Sequence, residues 1–141
     1  MLRILALRGG AALPDVQVSD LPALLGDPQA RVWVDISGPP DDETRAVLRD
    51  LFRFHPLVIE ECFEERERPK VEVFEGYLYC ITHGLDPSSS AEHHDVVELD
   101  AFLGQQFLVT YHAKPSRSVE DALQAVRRTG EPLRRGPAAL L

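Results

Sequence analysis

The chain has 141 residues, a length that suits one domain with its own core. Its formal net charge of -8 argues against nucleic-acid binding, because that binding rests on neutralising phosphates with Lys and Arg. Two cysteines, Cys62 and Cys80, are too few for a disulfide framework, so we expect both to be free and packed as small apolar side chains. No apolar run reaches the roughly 20 residues that span a bilayer, so we expect the chain as given to be soluble.

The first part of the chain predicts strands and helices in alternation. Short apolar or alternating runs predict strands at Leu2–Leu7, Val16–Val18 and Arg31–Ile36. Ser19-Asp20 can cap a short helix that ends at Leu25. A second helix is expected after Asp41 or Asp42, because apolar residues then recur at the spacing of one helix face. These residues are Val47, Leu48, Leu51 and Phe52.

A third helix is predicted from Pro56 to about Glu65, after a His55-Pro56 step. Proline suits the first helical turn, because its missing N–H would have had no partner there. Pro69 would end the segment. The side chains expected to face the core are Leu57, Val58, Cys62 and Phe63.

The second half predicts most of the sheet. Strands are expected at Val71–Phe74, Tyr77–Thr82, Val96–Leu103 and Gln106–His112. Ser118 would cap a last helix that stops at Gly130. The sum is an α/β fold, a mixed sheet of six or seven strands with helices packed on its faces. Residues 1–130 would form this domain, and residues 131–141 would begin a further helix.

Acidic residues crowd the end of the third helix, at Glu60, Glu61, Glu64, Glu65 and Glu67. Like charges four residues apart on a helix cost a few tenths of a kcal/mol, so the crowding needs a reason. One interpretation is a solvated face, which the pattern by itself favours. The other is a set of carboxylates that helps to bind a hard divalent cation, with the missing ligands supplied by another chain.

Two further groups of polar residues could likewise be either solvated surface or a functional site. The run Glu92-His93-His94-Asp95 could bind Zn²⁺ weakly, although neighbouring positions in a loop do not impose tetrahedral geometry and a solvated loop is favoured. Glu98 and Asp100 share one face of a strand and could form a carboxylate pair, but exposure or pairing with Arg is the simpler interpretation. The chain has no Gly-rich phosphate loop, nucleophile elbow or His-Glu-x-x-His motif, so we expect no enzyme.

Several motifs in a fixed order resemble the cytoplasmic N-terminal domain of the CorA family of divalent metal ion transporters. They cover nearly the whole chain, and the spacing from His-Pro-Leu to Arg-Pro-Lys is specific. The motifs are Trp33-Val34-Asp35, Phe54–Glu61, Arg68-Pro69-Lys70-Val71-Glu72, Leu99–Gly104, Phe107–His112 and Arg135-Gly136-Pro137.

The resemblance implies a homopentameric transporter for Mg²⁺, with Co²⁺ and Ni²⁺ as other substrates, whose α/β domain lies at the cytoplasmic face of the inner cell membrane. Residues 131–141 would then begin the stalk helix. The two membrane spans and the Gly-Met-Asn pore signature are not in this chain, which would therefore not transport by itself. Alone it would be a monomer or a dimer.

The resemblance also implies a regulatory site for a divalent cation between adjacent subunits, and its acidic half maps to Glu60 and Glu61. The second acid is commonly Asp in the family, so the longer Glu61 changes the geometry of this half-site. Two alternatives stay open. One is a zinc-transporting relative that recruits the loop histidines, and the other is a free-standing, non-enzymatic binding module with the same fold.

Overall fold

The computed structural model describes residues 1–64, 68–85 and 96–140. Within them it has an α/β fold with one mixed sheet, as predicted. The strands are β1 (Leu2–Arg8), β2 (Ala11–Ala12), β3 (Ala30–Ser37), β4 (Lys70–Phe74), β5 (Tyr77–Leu85), β6 (Val96–Leu103) and β7 (Phe107–His112). The α-helices are α1 (Leu21–Leu25), α2 (Asp42–Ala46), α3 (Pro56–Phe63) and α4 (Arg117–Thr129).

The strand order is β2-β1-β3-β7-β6-β5-β4. The pair β3–β7 is parallel and the other pairs are antiparallel. The inner strand β3 is buried on both faces because helices cover both of them. Its Val32, Val34 and Ile36 belong to one buried cluster, and its Trp33 belongs to the other.

Helices α1 and α3, with the π-helical turn Val47–Leu51 that follows α2, cover one face of the sheet, and we call it the α3 face. Its cluster includes Val58, Ile59 and Cys62 of α3 with Tyr79 and Phe102 of the sheet. The opposite face, which we call the α4 face, packs against Val119, Leu123 and Val126 of α4. Both cysteines are free and buried, which confirms that prediction.

The chain after α4 stays on the α4 face. Leu133 is fully buried there, and two 3₁₀ turns follow at Leu133–Arg135 and Pro137–Leu140. That residues 131–141 begin a stalk helix stays a prediction. No helix in the described part of the chain has both the length and the apolar character that a bilayer crossing needs.

Two local predictions were wrong about where elements begin. The second strand is Ala11–Ala12 rather than Val16–Val18, because Gly9 and Gly10 both take positive φ and turn the chain straight back onto β1. The cap of α4 is Ser116 rather than Ser118. The Ser116 hydroxyl accepts a hydrogen bond from the Val119 amide at 3.3 Å.

Helix α3 also differs from its prediction. It ends at Phe63, with Glu64 already extended, and so it is shorter than expected. Leu57 was expected in the core but is 73% exposed. The buried face of this short helix is Val58, Ile59 and Cys62, and Leu57 lies off that face.

The turn between β6 and β7 depends on a glycine. A Cβ at Gly104 would lie 2.3 Å from Cε1 of Phe107, a ring that packs on Phe52 and Phe54. We expect Gly104→Ala to lower the free energy of unfolding by about 1–3 kcal/mol, the usual cost of overpacking. Urea unfolding measures it. Gly84→Ala is the matched control, because a Cβ there meets nothing within 4 Å. Equal stabilities for the two variants would contradict this account.

Candidate functional site

The His55-Pro56 step fixes where α3 begins. Nδ1 of His55 accepts a hydrogen bond from the Leu57 amide at 3.1 Å, so His55 is the N-cap of the helix. The His55 amide itself donates to the Tyr77 hydroxyl at 2.9 Å, which ties the helix start to β5. The sequence predicts that Pro56 lies in the first turn of the helix, but it does not predict the contact between His55 and Tyr77.

Glu60 and Glu61 lie next to each other on α3, as predicted, but their environments differ. The Glu60 side chain is 65% exposed, and the Glu61 side chain is 15% exposed. Nη1 of Arg45 lies 2.9 Å from Oε1 of Glu60. This is an exposed pair, so it contributes at most about 1 kcal/mol and leaves the Glu60 carboxylate accessible.

Glu61 forms an ion pair with Lys70, the lysine of the Arg-Pro-Lys motif, which opens β4. Lys70 also pairs with Glu72, and its ammonium lies 5.9 Å from the centroid of the Tyr79 ring. The hydrogen bonds to Glu61 and then to Glu72 raise the pKa of Lys70, so its charge is secure at neutral pH. Sequence reasoning missed this contact, although a basic residue at the first position of the next strand was a usable signal.

The two carboxylates are therefore half of a cation shell at most. Mg²⁺ takes six oxygen ligands at 2.0–2.1 Å and keeps several waters, so two side chains on one helix cannot surround it. Across the described residues, no three His, Cys, Asp or Glu side chains are arranged to hold a metal ion. Glu65, Glu67 and the run from Glu92 to Asp95, including His93 and His94, lie outside those residues.

A second polar cluster, which sequence reasoning did not identify, lies at the centre of the sheet around Asp35. The Asp35 side chain is fully buried. Thr110 Oγ1 donates to its Oδ1 at 2.7 Å, and Arg3 Nη2 donates to its Oδ2 at 2.8 Å. Trp33 Nε1 donates to Thr110 Oγ1 at 3.0 Å, which adds a further hydrogen bond to the cluster.

His112 completes the cluster as a cation. Its Nε2 lies 3.1 Å from both oxygens of Asp35, and its Nδ1 lies 2.7 Å from the carbonyl oxygen of Lys114. The Asp35 carboxylate and the Lys114 carbonyl can only accept hydrogen bonds, so both ring nitrogens of His112 carry a hydrogen. Burial lowers the pKa of His112, but the hydrogen bond and charge of Asp35 outweigh it and leave the pKa raised.

The same balance acts on Asp35. Burial pushes the pKa of Asp35 up, but the hydrogen bond and charge of His112, followed by Thr110 and Arg3, hold it below the ordinary value. Arg3 extends the cluster to α4 through an ion pair with Glu120. These contacts join β1, β3, β7 and α4, so we assign this cluster to the fold rather than to binding.

Comparisons of the sequence with known proteins relate this chain to metal ion transporters. A family model described as CorA-like Mg²⁺ transporter protein matches residues 28–141. The putative metal ion transporter YfjQ of Bacillus subtilis is 38% identical over 105 residues, which are 74% of this chain and 31% of that protein. The magnesium transporter ALR2 of Saccharomyces cerevisiae is 26% identical over 124 residues, 80% of this chain and 14% of that protein. The chain thus spans less than a third of each of these relatives.

Solved structures share the fold. The soluble domain of CorA from Methanocaldococcus jannaschii has a TM-score of 0.65 at 19% identity, over 98% of this chain and 52% of that one. The full-length CmaX protein has a TM-score of 0.71 at 22% identity, over 92% and 39%. The ZntB cytoplasmic domain from Vibrio parahaemolyticus has a TM-score of 0.58 at 18% identity, over 70% and 40%.

Replacing Asp35 with Asn tests the buried cluster. We expect a loss of about 3–5 kcal/mol in the free energy of unfolding, because the cations of Arg3 and His112 lose their buried counter-charge. The wild-type advantage should be full below the ordinary His pKa of about 6.5. It should shrink as the pH rises through the raised pKa of His112, and also in acid as the pH falls from the ordinary Asp pKa of about 3.9 through the lowered pKa of Asp35.

Urea unfolding at pH 6 and at pH 9 measures both effects. Asp50→Asn is the control, because its partner Arg49 and Asp50 itself are exposed. We expect that variant to leave the stability nearly unchanged at either pH, because solvent screens the pair. A wild-type advantage over the Asp35 variant that grows with pH would contradict the assignment of His112 as a cation.

Proposed function

Because this chain belongs to the CorA-like Mg²⁺ transporter protein family, we propose that it is the cytoplasmic regulatory domain of a divalent metal ion transporter. The observation that carries the proposal is the family match over residues 28–141, on a chain whose fold is that of CorA soluble domains. The whole protein would be a homopentamer in the cell membrane that carries Mg²⁺, with Co²⁺ and Ni²⁺ as other substrates. The domain would have no enzymatic activity of its own.

Within this role, Glu60 and Glu61 would be the acidic half of a regulatory Mg²⁺ site. Carboxylate oxygens are preferred ligands of hard cations, and the Glu60 carboxylate is open to solvent on the outer side of α3. Water and a neighbouring subunit would supply the remaining ligands. Glu61 is held by Lys70, so a cation would compete with that ammonium for the carboxylate.

The charges give a direction for regulation. Without a cation, carboxylates on abutting subunits repel each other and loosen the interface. A bound cation turns that repulsion into attraction and favours the assembly that binds it more tightly. High internal Mg²⁺ would therefore favour the closed state of the transporter.

Two alternatives have less support. A zinc-transporting relative is favoured only by the likeness to the ZntB cytoplasmic domain, and at 18% identity that likeness concerns the fold. A free-standing binding module would share the fold without the membrane part. The coding sequence downstream of Leu141 separates the transporter from the module, since a long helix, two apolar spans and Gly-Met-Asn are expected for a transporter and a stop codon for the module.

The sensing role predicts a shift in Mg²⁺ response. In the full-length transporter, we expect Glu60→Ala/Glu61→Ala to raise the Mg²⁺ concentration that half-protects the protein from protease by about 5- to 150-fold, the usual range of coupling between sites. Glu43→Ala on α2 is the control, since it removes an acid elsewhere on the surface. Unchanged protection in the double variant would refute the sensing role.

The ion pair predicts an opposite shift for a second variant. We expect Lys70→Gln to lower the half-protecting Mg²⁺ concentration, because it removes the ammonium that competes for Glu61. The same protease assay measures this shift. A midpoint that rises instead would show that Lys70 positions Glu61 for the cation rather than competing with it.

A further inference from the structure

A buried carboxyl group lies beneath α3 and has no role in the proposed function. Asp100 on β6 is only 1% exposed, contrary to the expectation of exposure or pairing with Arg. The hydroxyl of the fully buried Tyr79 donates to its Oδ2. No N–H or O–H group among the described residues donates to its Oδ1.

The neighbour of Asp100 on the same strand face is a second acid, Glu98. The two side chains are within hydrogen-bonding reach of each other. Ionised carboxylates can only accept hydrogen bonds, so two of them can share a hydrogen bond only when one proton lies between them. The buried Oδ1 of Asp100 would otherwise lack a hydrogen-bond donor, which is unfavourable for a buried carboxyl oxygen.

The groups around this pair favour one retained proton. On α3, Glu61 adds negative charge, and burial raises the pKa of the Cys62 thiol well above its ordinary value. On β5, burial and then Asp100 raise the pKa of Tyr79, so its hydroxyl stays a donor. Two possible cations of the described residues lie near the pair, and neither forms an ion pair with Asp100 itself. Lys70 of β4 pairs with Glu61 and Glu72, and His83 of β5 lies 3.8 Å from Glu98.

Helix α3 lies directly over the pair. Tyr111 of β7 is the cross-strand neighbour of Asp100, and its ring meets the Phe63 ring of α3 edge-on at 4.9 Å. Cys62 of α3 and Tyr79 of β5 belong to the same buried cluster. An extra negative charge on Asp100 would therefore be buried under the helix, where solvent screens it least.

We propose that Asp100 and Glu98 hold one proton between their carboxyl groups, and that this proton keeps α3 packed against the sheet. When base removes it, both carboxylates are ionised beneath Glu61, and the contact between α3 and strands β5 and β6 weakens. Burial raises the pKa of Asp100 to about 8, against the opposing hydrogen bond from Tyr79, and Glu98 adds to the rise. The proposal does not depend on cation binding at Glu60 and Glu61.

Because folding raises the pKa of Asp100, the stability of the folded protein falls as the pH rises. A carboxyl whose pKa is higher in the folded protein stabilises the fold fully below its unfolded value, near 3.9, and loses this contribution as the pH rises toward 8. Asp100→Asn keeps the shape and can donate to Glu98 at any pH. Relative to this variant, the folding equilibrium constant of the wild type should fall about tenfold per pH unit across that range.

Three measurements test the proposal. Carbon-13 NMR of the wild-type side-chain carboxyls should show Asp100 titrating near pH 8, and Glu98→Gln should lower that midpoint because the amide it introduces can donate to Asp100 permanently. Urea unfolding from pH 4 to 9 should show the relative slope, with Asp121→Asn on α4 as a control that keeps the wild-type slope. Hydrogen exchange, corrected for intrinsic rates, should show α3 losing protection from pH 6.5 to 9 by about tenfold or more beyond the loss that global destabilisation causes in α4.

The outcomes are decisive in both directions. An Asp100 midpoint below pH 5, or one that Glu98→Gln leaves in place, would overturn the shared proton. Equal protection of α3 at the two pH values would overturn its link to the helix. The NMR titration of the wild type and the exchange measurements use the wild-type chain, so a variant that fails to fold does not block the test.

Discussion

The buried charge of Asp35 is the interaction on which the centre of the sheet depends. Its carboxylate accepts hydrogen bonds from Arg3 of β1 and from Thr110 and His112 of β7. An isolated carboxylate in that position would cost many kcal/mol, so the arrangement is stable only because every partner is present together. The parallel pair β3–β7 brings Thr110 and His112 to Asp35, and the antiparallel pair β1–β3 places Arg3 opposite it.

The Asp35 cluster also links the sheet to the C-terminal part of the domain. Arg3 bridges Asp35 to Glu120 of α4, and Trp33 packs in the same buried cluster as Leu123 and Leu133. The position of α4 is thus set by polar contacts at one end and by apolar packing along its length.

The sequence predicted the elements better than the contacts between them. Periodicity reveals a strand such as Arg31–Ile36, because the signal is local. It cannot reveal that Asp35 is buried, since Thr110 and His112 lie 75 and 77 residues further along the chain. The acidic helix shows the same limit, because Glu61 is half of an ion pair whose other member, Lys70, begins the next strand.

Helix α3 separates two kinds of acidic group, and the environment decides what each can do. On its outer side Glu60 forms an ion pair with Arg45, and Glu61 forms one with Lys70. On its inner side Asp100 contacts no cation among the described residues and is cut off from solvent, so the lower free energy belongs to the protonated form. The carboxyl groups on the outer side of α3 are thus paired with cations, whereas the one on β6 beneath the helix is buried with a tyrosine hydroxyl as its donor.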